Sequence, residues 1–197
     1  MIRLREANRA VWVYLKSKWV ILVAFLLLSL FIHVIFFRFT SADLELFLLD
    51  WFDYYDQVSI GEALRHPISN YTGPYTYMLY LAKLLQRGTG SWVPDIAMIK
   101  LIDLPFELLA VYVGMMIVRY FTADERRLFY VFALLLFHPT ILINGSFWGQ
   151  CDIIYTSMLM VSFLFFLYKK DLWGVIFFGV AVTVKFQAMF FSPFVLA

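Results

Sequence analysis

Charge is scarce in this chain and cysteine is nearly absent. Asp, Glu, Lys and Arg make up 15% of 197 residues, where a soluble domain carries about a quarter. The single cysteine, Cys151, excludes an internal disulfide and any zinc site built from cysteines. No A-x-A cleavage site follows the first apolar run, Trp19 to Phe37. That run is also too long for a signal-peptide core, so it reads as a retained transmembrane helix. No internal repeat or low-complexity tract is present. A net charge of +2 points to no nucleic-acid partner. A polar tail is missing too: residues Phe191 to Ala197 stop inside apolar sequence. We therefore expect residues 1–197 to be the N-terminal part of one larger transmembrane domain.

Apolar and aromatic residues are what the chain has in excess. They reach 63% and 20%, with a mean hydropathy of +0.80. Such a chain cannot bury its apolar surface in water, which predicts an all-α, polytopic transmembrane bundle in a lipid bilayer. Residues 1–18 carry Arg3, Arg5, Arg9, Lys16 and Lys18 against Glu6 alone. Trp12, Val13 and Leu15 among them suggest an amphipathic segment, which the positive-inside rule places in the cytoplasm. The helix Trp19 to Phe37 then exits on the far side. Residues 38–95 form an external loop made acidic by Asp43, Glu45, Asp50, Asp53, Asp56 and Glu62. Its apolar residues, among them Leu46, Trp51, Phe52 and Tyr55, predict interfacial helices. Tyr71 to Leu85 falls short of the roughly 20 residues a span needs and reads as re-entrant or interfacial, returning to the same side. Apolar runs at about 96–121, 128–142, 153–167 and 172 to the end bring the total to about five spanning helices. This topology keeps Arg119 to Arg127 and Lys169-Lys170 in the cytoplasm. Asp43, Lys100, Asp103 and Asp152 then lie near the external face. The expected location is the cell membrane, multi-pass, with the N-terminus cytoplasmic.

Several residues could carry chemistry. Asp43 lies just past the first helix, and a carboxylate there can take a proton from an acceptor hydroxyl or amine; a simply solvated acidic loop is the alternative. Asp50, Asp53 and Asp56 recur every three residues. They face water or, less in keeping with the absence of a neighbouring histidine, a metal ion; no residue is singled out as a metal ligand. Lys100, Asp103 and Glu107 share a helix face, with a Lys100–Asp103 pair expected and Pro105 marking a helix start or kink. Charges at such depth face protein or a watery cavity. In Trp148-Gly149-Gln150-Cys151-Asp152, glycine permits close backbone approach and the polar residues suit sugar hydroxyls, while Trp148 could equally be a membrane anchor. Lys185, followed by Gln187, sits inside the last apolar run, where the phosphate of a lipid carrier, or an ion pair with a helix beyond these residues, would engage it. His33 reads as a packed polar residue. Asn70 and Asn144 each begin an N-x-[ST] triplet.

In order along the chain, these residues resemble the GT-C superfamily of polytopic glycosyltransferases. The resemblance rests on Ser41-Ala42-Asp43 with Phe47-Leu48 and Trp51, on Asn70-Tyr71 to Pro74-Tyr75, and on Ile99-Lys100 to Asp103. It continues through His138-Pro139, Asn144, Trp148 to Asp152, and Val184-Lys185-Phe186-Gln187. It is nearest to bacterial mannosyltransferase-like proteins related to the second GPI mannosyltransferase, with dolichyl-phosphate-glucose glucosyltransferases more distant. Thr72-Gly73 depart from the Asn-Tyr-Pro-Pro string of such relatives. The resemblance implies a polyprenyl-phosphate-linked mannose- or glucose-type donor, a glycan, lipid or protein acceptor, and no cofactor. Asp43 matches the general base. Asp103, Trp148, Gln150 and Asp152 match positions near the active cavity, and Lys185 and Gln187 a recurrent polar pair. A transporter or channel fragment with charged residues along a solute path is the rival reading, and a non-catalytic membrane subunit a third.

Overall fold

The basic N-terminal segment folds into helix α1 (Leu4–Ser17), and Ala7, Val11 and Tyr14, four and three residues apart, bury one face of it. That spacing is the inner stripe of an amphipathic helix. The computed structural model describes residues 3–66, 68–69, 71–90 and 92–196, and all regular structure there is helical. Helix α2 (Trp19–Phe37) matches the expected first span residue for residue and buries only Leu22, Ser29 and His33. Its remaining apolar side chains point outward, Leu27 and Phe31 being 62% and 61% exposed. A helix apolar all round with so narrow a buried stripe is long and apolar enough to cross a membrane.

Past α2 the chain forms a cap over one end of the bundle. A π-helical turn, Leu44–Leu48, leads into α3 (Leu49–Gln57), α4 (Ile60–Arg65) and α5 (Gly73–Gly88). Ser59 starts α4 by accepting the Glu62 N–H, and Pro74 lies in the first turn of α5. Helix α6 (Asp95–Leu101) then turns into α7 (Leu104–Phe121). Helices α8 (Glu125–Leu136) and α9 (Pro139–Ile141) run on into a second π-helical segment, Leu142–Trp148. Helices α10 (Asp152–Leu167) and α11 (Asp171–Val184) form a packed hairpin, and a 3-10 helix, Phe186–Phe191, and α12 (Ser192–Leu196) follow.

Five rods thus run up and down. Helices α2, α8 and α11 lead toward the cap, and α7 and α10 lead away from it. Three stretches, Trp19–Phe37, Asp95–Phe121 and Glu125–Trp148, are long and apolar enough to cross a membrane. Helices α10 and α11 are apolar but shorter. The expectation of about five spans is therefore met in full length by three. Three run boundaries also move. The run at 96–121 is interrupted by a turn at Ile102–Asp103, with Pro105 in the first turn of the second half. The run at 128–142 starts at Glu125, where the Asp124 side chain caps the helix by accepting the Arg126 N–H, and continues to Trp148. The final run breaks at Lys185, whose backbone is extended (φ −150°, ψ 127°).

Both ends of α5 are fastened to neighbouring elements. At its start the Thr72 hydroxyl donates to the Val184 carbonyl at the end of α11 (2.7 Å). Near its other end the Gln86 amide donates to Val93 and Asp95, at the entry to α6. Arg87 pairs with Asp56, and Lys83 lies 4.0 Å from Asp53, which ties α5 to α3. Asp53 and Asp56 thus face basic residues of α5 rather than only water.

Two cores support this arrangement. One, under the cap, gathers Leu44, Leu48, Phe52, Tyr75, Ile99 and Ile154. The other, toward the basic end, gathers Val11, Leu22, Met115, Leu128 and Phe132.

Candidate functional site

The cap and the bundle meet along two irregular strands of backbone. The first leaves α2 at Arg38 and enters the π-helical turn at Leu44. The second is the π-helical segment ending at Trp148. A π-helical turn widens the ladder and re-aims the residues after it, and such turns recur at functional sites. Gly149, in the left-handed conformation (φ 78°), closes the second. Its N–H bonds the Gly145 carbonyl (2.9 Å) and the Gln150 N–H bonds Asn144 (2.9 Å). A Cβ at Gly149 would lie 3.0 Å from Leu44, so glycine serves both the turn and the close approach of the first strand.

Side chains stitch the two strands together. The Ser41 hydroxyl donates to the Trp148 carbonyl (2.7 Å) and accepts the Leu44 N–H (3.2 Å). Asp43 Oδ2 accepts from Gln150 Nε2 at 2.8 Å, and Gln150 Oε1 accepts from the Tyr71 hydroxyl at 3.0 Å. Burial above all pushes the Tyr71 phenol up to about 12, so it stays a donor at neutral pH. The Lys185 ammonium sits 5.5 Å from the Tyr71 ring centroid and is ion-paired with Asp152. The Asn144 amide donates to the other Asp152 oxygen (3.3 Å). One continuous network therefore joins Asp43, Gln150, Tyr71, Lys185, Asp152 and Asn144. A cavity of about 340 Å³, lined by Tyr71, Thr72, Lys185 and Gln187 among others, opens beside it. A second, of about 360 Å³, reaches Asn144 and Asp152 from the bundle side.

Beneath the network lies Lys100, 1% exposed. Its ammonium donates to the carbonyls of Phe39 (2.6 Å), Phe147 (3.1 Å) and Phe36 (3.2 Å). The expected Lys100–Asp103 pair is not formed. Carbonyls at and just past the C-terminal end of α2 carry partial negative charge, and those of Phe36 and Phe39 claim the ammonium instead, the Phe36 carbonyl also accepting the Phe39 N–H. One of its three donors reaches the first irregular strand just before Asp43, and another reaches the second just before Trp148.

Asp103 and Glu107 are buried as well. Both face Gly145, where an added Cβ would lie 3.1 Å from an oxygen of each. Glu107 Oε2 is 2.7 Å from His33 Nε2, and the opposite ring nitrogen of His33 is 2.7 Å from the Ser29 carbonyl. His33 is thus a packed polar residue, as expected, with a carboxylate partner that its lone position in the sequence did not reveal.

Asp43 and Gln150 come together through hydrogen bonds, as do Asp152 and Lys185, the two sets being linked by the Lys185–Tyr71 cation–π contact, and Asp103 lies outside this network. Trp148 contributes its carbonyl; its indole is 47% exposed, as an interfacial anchor would be. Gln187 is exposed at the cavity rim. Burial drives the Cys151 thiol up to about 12, which leaves it a packing residue rather than a nucleophile. Asn70 lies outside the described residues. Tyr71, Ser41 and Thr72 were not marked out for chemistry by the sequence. Ser41 and Tyr71 stood only within the family string and Thr72 as a departure from it, and hydrogen bonds to carbonyls or to a distant amide leave no spacing signal.

The described residues thus form an all-α helical bundle with three membrane-length apolar helices and a polar network under a helical cap. No protein-family model, curated protein or solved structure matches the chain.

Proposed function

We propose that the chain is an integral membrane glycosyltransferase domain of the GT-C type, moving a mannose- or glucose-type hexose from a polyprenyl phosphate to an acceptor on the external face. The observation that carries this reading is the Asp43–Gln150 hydrogen bond (2.8 Å). It holds an exposed carboxylate at the mouth of a polar network, with one oxygen occupied and the other available to an acceptor. Asp43 takes the acceptor's hydroxyl proton, and the freed oxygen attacks the anomeric carbon. The bond from that carbon to the phosphate oxygen breaks, and polyprenyl phosphate leaves with the electron pair, inverting the anomeric centre. The leaving group needs cationic donors. Lys185 lines the adjacent cavity with one of its three N–H donors engaged by Asp152.

The membrane topology belongs to the same reading. Basic residues of α1 and of the α7–α8 and α10–α11 turns gather at one end, which the positive-inside rule assigns to the cytoplasm. The cap then lies outside. Tyr77, Leu81 and Leu85 of α5, between 51% and 59% exposed, give it an apolar outer stripe suited to the interface. A tag in the Lys169-Lys170 loop should be cytoplasmic; an external tag breaks the assignment.

Asp43→Asn should cut hexose transfer from a polyprenyl-phosphate donor by about 10² to 10⁴-fold while membrane insertion is unchanged. Undiminished transfer removes Asp43 as the base. A solute path is the competing reading, favoured by the buried Glu107 Oε1, which has no hydrogen-bond partner among the described residues. Solute flux lost in Glu107→Gln, with no hexose transfer in the parent protein, would select it.

A further inference from the structure

We propose that the basic end of the bundle holds the head group of an anionic glycerophospholipid between α1 and the α7–α8 turn. This site is distinct from the polar network and rests on the membrane reading, not on sugar transfer.

Two cavities lie side by side there. One, of about 320 Å³, is lined by Glu6, Arg9, Tyr14, Arg119 and Glu125 among others. Its neighbour, of about 420 Å³, is lined by Tyr14, Lys18, Glu125, Arg126 and Phe129 among others. Tyr14 and Glu125 form the shared wall. Among the described residues, none of Arg9, Lys18, Arg119 and Arg126 lies within salt-bridge distance of a carboxylate; Arg127 with Asp124, at 3.9 Å, is the pair found at this end. Arg119 Nε is buried and has no hydrogen-bond partner there. A guanidinium N–H removed from water without an acceptor is costly, and a phosphate oxygen in the cavity supplies the missing acceptor in the geometry arginine favours.

The surroundings select a lipid over a free anion. Trp12 and Trp19, next in sequence to the lining residues Val13 and Lys18, are 53% and 61% exposed, as aromatic residues at a membrane–water boundary are. Clustered Arg and Lys on an amphipathic helix at the cytoplasmic face is the recognised pattern for anionic lipid. The unpaired cations outnumber the two carboxylates, Glu6 and Glu125, which favours a head group with net negative charge. Those carboxylates suit a head group that also carries hydroxyls, and phosphatidylglycerol meets both requirements.

The test is lipid retention by the full chain purified in detergent. Phosphatidylglycerol, phosphatidylcholine and inorganic phosphate are added in separate arms, with bound lipid read by native mass spectrometry and stability by melting temperature. Phosphatidylglycerol should be retained saturably and raise the melting temperature. Arg119→Gln and Arg9→Gln should each weaken retention about fivefold. Arg9 is exposed, so its variant should melt like the parent without lipid. Equal retention of phosphatidylcholine, an equal rise with inorganic phosphate, or undiminished phosphatidylglycerol binding in the double variant would each overturn the proposal. None of these readouts depends on hexose transfer, so failure here leaves the enzyme reading standing, and loss of that reading leaves this one.

Discussion

The two ends of the bundle treat charge in opposite ways. At the capped end the buried and bridging cations are engaged, Lys100 by carbonyls, Lys185 by Asp152, Lys83 by Asp95 and Arg87 by Asp56, while the exposed Arg38 and Arg65 line no cavity described above. At the basic end Arg9, Lys18, Arg119 and Arg126 have no carboxylate within salt-bridge distance among the described residues. Engagement fixes geometry, which a site acting on a bound substrate needs before the substrate arrives. Unpaired charge beside a cavity awaits a ligand of opposite sign. The difference therefore separates a preorganised end from a receptive one, and substitutions at the capped end test how much of its order the pairing supplies.

Lys100→Met should have the largest effect on stability. It removes one ammonium and leaves the carbonyls of Phe36, Phe39 and Phe147 without that donor, at a cost of about 3 kcal/mol. The melting temperature in detergent should fall well below that of any surface variant. The proposed hexose transfer should fall with it, because both strands that carry Asp43 and Gln150 lose their common anchor. Lys100→Arg should recover part of the stability; a Met variant that melts like the parent would reduce the carbonyl cluster to an incidental contact.

Lys185→Met comes next. It leaves Asp152 without its cation in a partly buried setting, an expected loss of about 2 kcal/mol. The double variant Lys185→Met/Asp152→Asn should be more stable than the single one, since the uncompensated charge is gone. A cycle measured by melting separates the pair from its members. Additive losses would show that the two side chains act independently, contrary to the network described above.

How much of this was legible in the sequence depends on what kind of partner each residue takes. Helix α2 could be read to the residue because charges, Lys18 and Arg38, bracket a run that is apolar apart from Ser29 and His33. The α10 run was nearly as clear. The break at Lys185 was hidden because Phe186 to Phe191 stays apolar after the helix ends, and hydropathy does not register a change of backbone conformation. Pro105 announced a helix start, but nothing announced that Lys100, a few residues earlier, would turn away from Asp103 toward backbone carbonyls. Backbone acceptors have no residue identity to search for. The contacts of the site also span the chain: Gln150 and Asp43 are 107 residues apart, and His33 and Glu107 are 74 apart. Sequence reading could propose Asp43 and the Trp148 to Asp152 string separately; only the packing of two π-helical turns brings them to one hydrogen bond.

The smallest expected effect lies at the surface of the cap, where Arg87 meets Asp56. Both side chains are about half exposed, at 42% and 50%, so water and salt compete with the pair. Exposed pairs contribute about 0.2 to 1 kcal/mol, and Arg87→Ala should lower stability within that range. Its value is diagnostic. Lys83, 8% exposed and 3.3 Å from Asp95, fastens the same helix from the inside, so the outer pair should be dispensable while Lys83→Met is not. Raising the salt concentration should erase the difference between Arg87→Ala and the parent, yet leave the deficits of Lys100→Met and Lys185→Met largely intact, because screening reaches exposed charges far more than buried ones. If salt instead abolished all three deficits alike, the capped end would be held by surface charge, and its contrast with the basic end would rest on exposure alone.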